Sequence, residues 1–267
     1  MDSPATGPRV NCSFCANLSR CLACLLLLIS AACQPLTATL LPTLEIVQIE
    51  YPPALNSWTA PLNRCASSLP EIGLVTSETP ADRLDPARVD FALRFGPQPG
   101  PAQNTPSPFF AAVLSTDEVV LAVNPTNPVL SLTPQLIGAI FSSQVTHWNV
   151  LDSQKVTPQP TEAGLAIQVW SYPPGDDVRQ VFDKAFMQGK TPAGQTYLAS
   201  DSGAMLEALA QNPGAVGYLL KSQLNTAVRT VRVNGIPSFN PTQPILALSL
   251  KEPQGYARQL LLCLQEK

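Results

Sequence analysis

Two acids stand side by side at Asp176 and Asp177, with Gly175 just before them and Arg179 two places after. They belong to the run Ser171-Tyr172-Pro173-Pro174-Gly175-Asp176-Asp177-Val178-Arg179-Gln180-Val181-Phe182. A strand-like segment precedes it, a Pro/Gly turn opens it, and an amphipathic helical pattern follows. Strand, glycine turn and helix N-terminus together make an anion site, because the first backbone N–H groups have no helical partner. The two acids act against that chemistry. Like unit charges about 4 Å apart repel by roughly 4 kcal/mol at an effective dielectric near 20. A helix terminus returns only about 0.3–2 kcal/mol. One Asp can accept the proton of a protonated oxyanion; two are harder to accommodate. The competing reading is that Asp176 or Asp177 caps the helix, worth about 1 kcal/mol. Both readings stand at this point.

A second cation candidate is Arg94, near the end of a strand-like segment Val89–Phe95, where clefts form in α/β sheets. Arg179, at the third helical position, reads first as a surface or ion-paired arginine. Tyr172 and Trp58 lie at strand-to-helix turns and are candidates for aromatic cleft walls, which suit an organic ligand; Trp170 and Tyr218 read as core. His147 is the only histidine, a loop residue beside Trp148, so a His-built metal site is not expected. There is no G-x-S-x-G elbow, no P-loop and no G-x-G-x-x-G. No nucleophile constellation is visible, and the expectation is a non-enzyme without metal or cofactor.

Charged residues make up 13% of the 267 and the formal net charge is −3. The usual charged share is about 25%. Such a chain is not built for nucleic acid or an acidic membrane surface. Its 28 prolines are scattered, which predicts stiff loops on a folded body rather than a rod.

At the N-terminus, Arg9 and Arg20 precede the uncharged run Cys21–Ala32. That run is shorter than the roughly 20 residues of a spanning helix and fits an export signal over residues 1–32. Ser30-Ala31-Ala32-Cys33 resembles the lipobox of bacterial lipoproteins, with Cys33 as the acylated residue and Ser30 where the motif usually has Leu. The resemblance implies membrane contact through the lipid only, with 33–43 as a tether. Cys12-x2-Cys15 and Cys21-x2-Cys24 are too close together for a zinc ribbon, whose gap is about 15–20 residues, and belong to the signal. If Cys33 is acylated, Cys65 and Cys263 are the remaining pair, and an oxidising exterior permits their bridge.

Periodicity places strands at Leu44–Glu50, Ile72–Thr76, Val89–Phe95, Glu118–Val123, Ile167–Trp170, Ala215–Leu220, Val228–Val233 and Ile245–Ser249. Helices are predicted at Ser57–Ser68 with Ser57 as cap, from Thr133 and Pro134 to Phe141, over Val178–Phe186, after a Ser202 cap, and over Pro253–Leu264. Pro97–Pro108 reads as a loop. The alternation predicts α/β layers with a largely parallel sheet.

Three stretches in this order resemble one family. Ser131-Leu132-Thr133 to Phe141-Ser142 and Val145-Thr146-His147-Trp148-Asn149-Val150-Leu151 resemble a signature of substrate-binding proteins of phosphate ABC importers. Asp117–Pro125 is similar to the segment before that signature. Gly203-Ala204-Met205 through Asn212-Pro213-Gly214-Ala215-Val216-Gly217-Tyr218 is similar to a later block. The resemblance implies an α/β, two-lobed type II periplasmic-binding-protein fold, each lobe a mixed sheet flanked by helices. Residues 44–117 and 221–267 would form lobe 1 and 118–220 lobe 2, with hinges near Asp117 and Leu220. It implies an exported monomer that holds a small ligand between the lobes and delivers it to an ABC permease and ATPase.

The family's second-lobe motif is Arg, two residues, then Gly-Ser-Gly-Thr-Arg. Here Tyr172 takes the first Arg place, Gly175 and Arg179 match, and Asp176, Asp177 and Val178 replace Ser, Gly and Thr. The implied ligand set is Asn56, Ser57, Arg94, Thr116, Tyr172, Gly175, Asp176, Asp177 and Arg179. Phosphate is the family default, and another oxyanion or small organic anion is the wider class. The replaced motif also admits the same scaffold as a surface sensor or interaction lipoprotein.

Overall fold

The computed structural model describes residues 44–97, 110–148 and 164–266, all within one compact unit, Leu44–Lys267. The expected export signal, the expected tether with Cys33, most of the predicted loop to Pro108 and Asn149-Val150-Leu151 lie outside the described residues. Among the described residues no helix is long and apolar enough to cross a membrane.

Strand β1 (Glu45–Tyr51) is followed by a 3-10 turn (Pro53–Trp58), helix α1 (Thr59–Ser67), β2 (Ile72–Glu78), a short 3-10 turn (Ala81–Arg83) and β3 (Phe91–Phe95). Then come β4 (Phe110–Val123), β5 (Ser131–Leu132), α2 (Pro134–Phe141), β6 (Gln168–Ser171), α3 (Asp177–Phe182) and a π-helical turn (Asp183–Met187). The chain ends with β7 (Tyr197–Leu198), α4 (Ser202–Gln211), β8 (Ala215–Leu220), β9 (Arg229–Thr230), β10 (Arg232–Val233), β11 (Thr242–Ser249) and α5 (Gly255–Gln265).

The principal sheet runs β2-β1-β3-β11-β4-β8-β6-β7. Its ends are parallel: β1 with β2 and β3, and β6 with β7 and β8. Its centre is antiparallel, since β11 pairs with both β3 and β4, and β4 with β8. The expectation of a largely parallel sheet is therefore corrected to a mixed one. β1 to β4 run in one direction and β6, β7, β8 and β11 in the other, so the antiparallel pairs fall at the centre, where β11 inserts between β3 and β4.

β4 spans 14 residues, more than twice the length the alternation predicted. Its first part, to Glu118, pairs with β11, and from Val119 onward it pairs with Leu220 to Val216 of β8. The sheet changes partner at this point. The Asp117 carboxylate ties the two crossings, accepting from Glu118 N (2.8 Å), Ser222 N (3.3 Å) and the Ser222 hydroxyl. Residues after 221 do not all stay on the first side. β9 pairs with Ala122-Val123 and β10 with β5, so 229–233 joins the half-sheet assigned to 118–220.

Two predicted caps shift. Ser57 lies inside the 3-10 turn, and α1 starts after Trp58 without a side-chain cap. Asp201, not Ser202, caps α4, accepting from Ala204 N. Thr133 caps α2 through Leu136 N with Pro134 at the first position, as the sequence predicts.

One core runs through both half-sheets, with Ile49, Phe91, Leu93, Leu121, Val123 and Val216 all at 0% exposure. On the second side Phe182 stacks flat on Tyr218 at 3.9 Å between ring centroids, and Phe141 tilts against Phe182 at 4.5 Å. Burying a side chain of this size is worth about 1.5–3 kcal/mol. The cluster presses α2 and α3 onto β8 and so holds the start of α3 in place. Cys65 of α1 and Cys263 of α5 form a disulfide, Cα atoms 5.9 Å apart.

Candidate functional site

The local sequence explains how α3 begins. β6 ends at Ser171, whose hydroxyl bonds to Tyr218 Oη at 2.7 Å. Pro173 and Pro174 cannot continue the ladder, and Gly175 takes a φ of +90°, open to glycine and strained for other residues. Asp176 is then extended, and its carboxylate accepts from Arg179 N at 3.0 Å. That is the capping reading, fulfilled by the first of the two acids.

The second acid does something else. Asp177, at the first helical position, is only 3% exposed. Its Oδ2 accepts from Arg94 Nε at 2.7 Å and its Oδ1 from Arg94 Nη2 at 2.6 Å. Phe95 N adds a third bond to Oδ2 at 3.2 Å. A planar guanidinium and a backbone N–H thus enclose one carboxylate, the bidentate geometry in which arginine is strongest. Arg94 comes from β3 and Asp177 from α3, so the pair joins the two half-sheets. Burial works against the Arg94 charge. The Asp177 hydrogen bond and the charges of Asp177, Asp176 and Asp82 nevertheless hold its pKa above the ordinary value.

Asp176 is buried beside this pair. Desolvation pushes its carboxyl up to about 7; the Arg179 N–H opposes that rise and the Asp177 charge adds to it. Asp82, on the 3-10 turn after β2, packs against Gly175, where an added Cβ would come within 3.0 Å of the Asp82 carboxyl. Three acids therefore surround one arginine.

The other predicted residues divide. Asn56 bridges the halves as well, its Oδ1 accepting from Ser202 Oγ at 2.8 Å. Ser57 lies 3.4 Å from Gln223 Nε2, and that amide also donates to Ala54 O at 2.6 Å. Arg179 turns back on its own turn, donating to Tyr172 O at 2.8 Å and pairing with Asp183 at 3.5 Å. Thr116 is exposed in β4 opposite Pro244. Tyr172 is a correction to the cleft-wall expectation. Its ring is fully buried, edge-on to Tyr218 at 5.6 Å, because the turn folds it into the aromatic cluster rather than toward solvent. Its hydroxyl has no hydrogen-bond partner among the described residues, and burial pushes the phenol well above its ordinary range. Trp58 is half-buried against the core.

So Arg94, Gly175, Asp176 and Asp177 converge, while Tyr172 and Arg179 face inward. Sequence reasoning missed Asp82, Ser202 as a cross-half partner and the Phe95 N–H. None carries a local signal, since each matters only through a contact across the half-sheets. His147 is half-buried and pairs as an isolated bridge with Ala166. Among the described residues no cluster of His, Cys, Asp and Glu could hold a metal ion. Surface cavities of about 500, 580 and 620 Å³ lie elsewhere.

Residues 100–257, more than half of the chain, match the PBP superfamily domain. The fold is similar to a Clostridium perfringens protein assigned as a phosphate ABC transporter substrate-binding protein and solved with bound phosphate. That match has 17% identity and a TM-score of 0.68, and covers 82% of this chain and 92% of the other. An ABC-type phosphate transport receptor from Vibrio cholerae matches at 16% identity and TM-score 0.59, covering 83% and 93%. The CcmR regulatory domain of Synechocystis PCC6803 in complex with 2-PG matches at 9% identity and TM-score 0.57, covering 83% and 96%. At such identities these likenesses establish the fold.

Proposed function

The chain belongs to the PBP superfamily and has the two-lobed type II α/β fold, and on that basis we propose that it is an extracytoplasmic solute-binding protein of an ABC importer. It is anchored by acylated Cys33 and takes a small anion, phosphate or another oxyanion or organic anion, between its half-sheets. One observation carries the reading. Arg94 and the Phe95 N–H present three donors where the two halves meet, in a geometry that fits a planar or tetrahedral oxyanion. Asp176, with its carboxyl near neutrality, could supply a proton to such a ligand.

Thermal melts of the wild type against phosphate, sulfate, molybdate, amino acids and dicarboxylates test it. A true ligand at 100 times its dissociation constant should stabilise by about 2.7 kcal/mol. A melt unmoved by every compound would end the solute-binding reading. In membrane fractionation, Cys33→Ser should release the protein; unchanged membrane association would refute the lipid anchor.

A second reading has its own support. Every Arg94 bond described above is taken by the protein itself, and the fold is also found in a regulatory domain. On that reading the scaffold is a surface sensor or interaction lipoprotein without a transported solute.

A further inference from the structure

We infer that the Asp177 carboxylate is a tethered occupant of the anion seat, an internal competitor that an external anion must displace before it can take the Nε–Nη2 edge of Arg94 and the Phe95 N–H. The inference rests on reading the Arg94 seat as the solute site.

The geometry supports this in three ways. First, the carboxylate occupies the Nε–Nη2 edge of Arg94, on a side chain that keeps 27% exposure. It takes Arg94 Nε and Nη2 and the Phe95 N–H, at 2.7, 2.6 and 3.2 Å. An incoming oxyanion would need the same donors. Second, it comes from the opposite half. A ligand held between two halves closes them by bonding to both, and here β3 and α3 are joined by the protein's own side chain, with Ser202–Asn56 as a neighbouring link. Third, Asp177 is not needed to start its helix, because Asp176 caps α3. Its place in the Arg94 seat is therefore separable from helix formation.

Tethering gives the occupant an effective concentration of at least the millimolar order, and preorganisation by the capped turn raises it. An anion that binds the free seat weakly is then invisible to the wild type. The occupant resembles acetate chemically, a carboxylate on one methylene, so acetate is the natural probe for the emptied seat, and inorganic phosphate the probe for an enlarged one.

The experiment is calorimetric titration of the folded chain with acetate and with inorganic phosphate, in the wild type, Asp177→Ala and Asp177→Asn. Removing one partner of a buried pair is destabilising, so Asp177→Asn, which keeps the volume, stands in if Asp177→Ala does not fold. Either variant should bind at least one probe ten times or more tighter than the wild type, equivalent to about 1.4 kcal/mol. Adding Arg94→Gln should erase that gain. Folded variants that bind neither probe better than the wild type would overturn the inference, as would a gain that survives Arg94→Gln. The failures are distinguishable. A solute that shifts the wild-type melt, with no gain in the variants, removes the internal competitor and leaves solute binding standing. A gain in the variants, with a wild type indifferent to every solute, does the reverse.

Discussion

Asp176 and Asp177 are adjacent, yet one turns back to cap its own helix and the other reaches across to Arg94. Their surroundings set their protonation. Asp176 is held near 7 chiefly by desolvation, whereas an unfolded Asp titrates near 3.9. The folded state therefore binds a proton that the unfolded state has lost between about pH 4 and 7. Stability from this group is present at low pH and falls as pH rises through that window, with a slope of at most about 1.4 kcal/mol per pH unit. The groups facing it are Asp177, Arg179, Arg94 and Tyr172. Asp183, raised mainly by burial, adds to the slope, whereas Asp201, lowered mainly by the Ala204 N–H, acts only below the ordinary Asp range, where its stabilisation is lost as pH falls. Asn also caps helices well, so Asp176→Asn should fold and should flatten the dependence in urea unfolding at pH 5 and 7.5. An equal slope in both proteins would refute the assignment. The residue types announced an acid pair at a helix start. Which acid caps and which crosses was not legible, because that depends on a contact 83 residues away in sequence.

At the scale of elements, the Pro173-Pro174-Gly175 turn aims α3. Gly175 combines a φ of +90° with the Asp82 carboxyl 3.0 Å from where a Cβ would sit. Gly175→Ala should cost about 1–3 kcal/mol through strain, read as a lower denaturation midpoint with an unchanged slope. Unaltered stability would mean the turn is softer than it looks. The elements with strong local punctuation were legible, among them α2 with Thr133 and Pro134 and β8 after Asn212-Pro213-Gly214. Failures have physical causes. β4 was cut short because Phe110–Leu114 is a continuous apolar run without alternation, visible as strand only through its pairing with β11. Ser57 and Ser202 look like caps, but Ser57 is absorbed into a 3-10 turn and Ser202 is drawn across to Asn56.

For the whole molecule, the disulfide closes a loop of 198 residues that contains nearly all of the second half-sheet, yet both cysteines sit on helices of the first. Its effect on the unfolded chain is therefore global while its native contacts are local. Reduction should lower unfolding stability by about 2–5 kcal/mol and leave anion titrations of the folded protein unchanged, since Arg94 and Asp177 lie on other elements. A reduced protein as stable as the oxidised one would refute the first expectation; altered titrations would refute the second. The fold was legible at this scale from ordered motifs over residues 117–218. The site was not, because its decisive bonds join β3 to α3.

The Arg94–Asp177 pair has a consequence for dose and response. If an internal carboxylate holds the seat for all but about 1% of the time, half-saturation by an external anion moves roughly 100-fold upward, since apparent affinity scales with the competent fraction. Such a protein ignores background levels of its solute and answers only above a threshold, and the strength of one ion pair sets where that threshold lies.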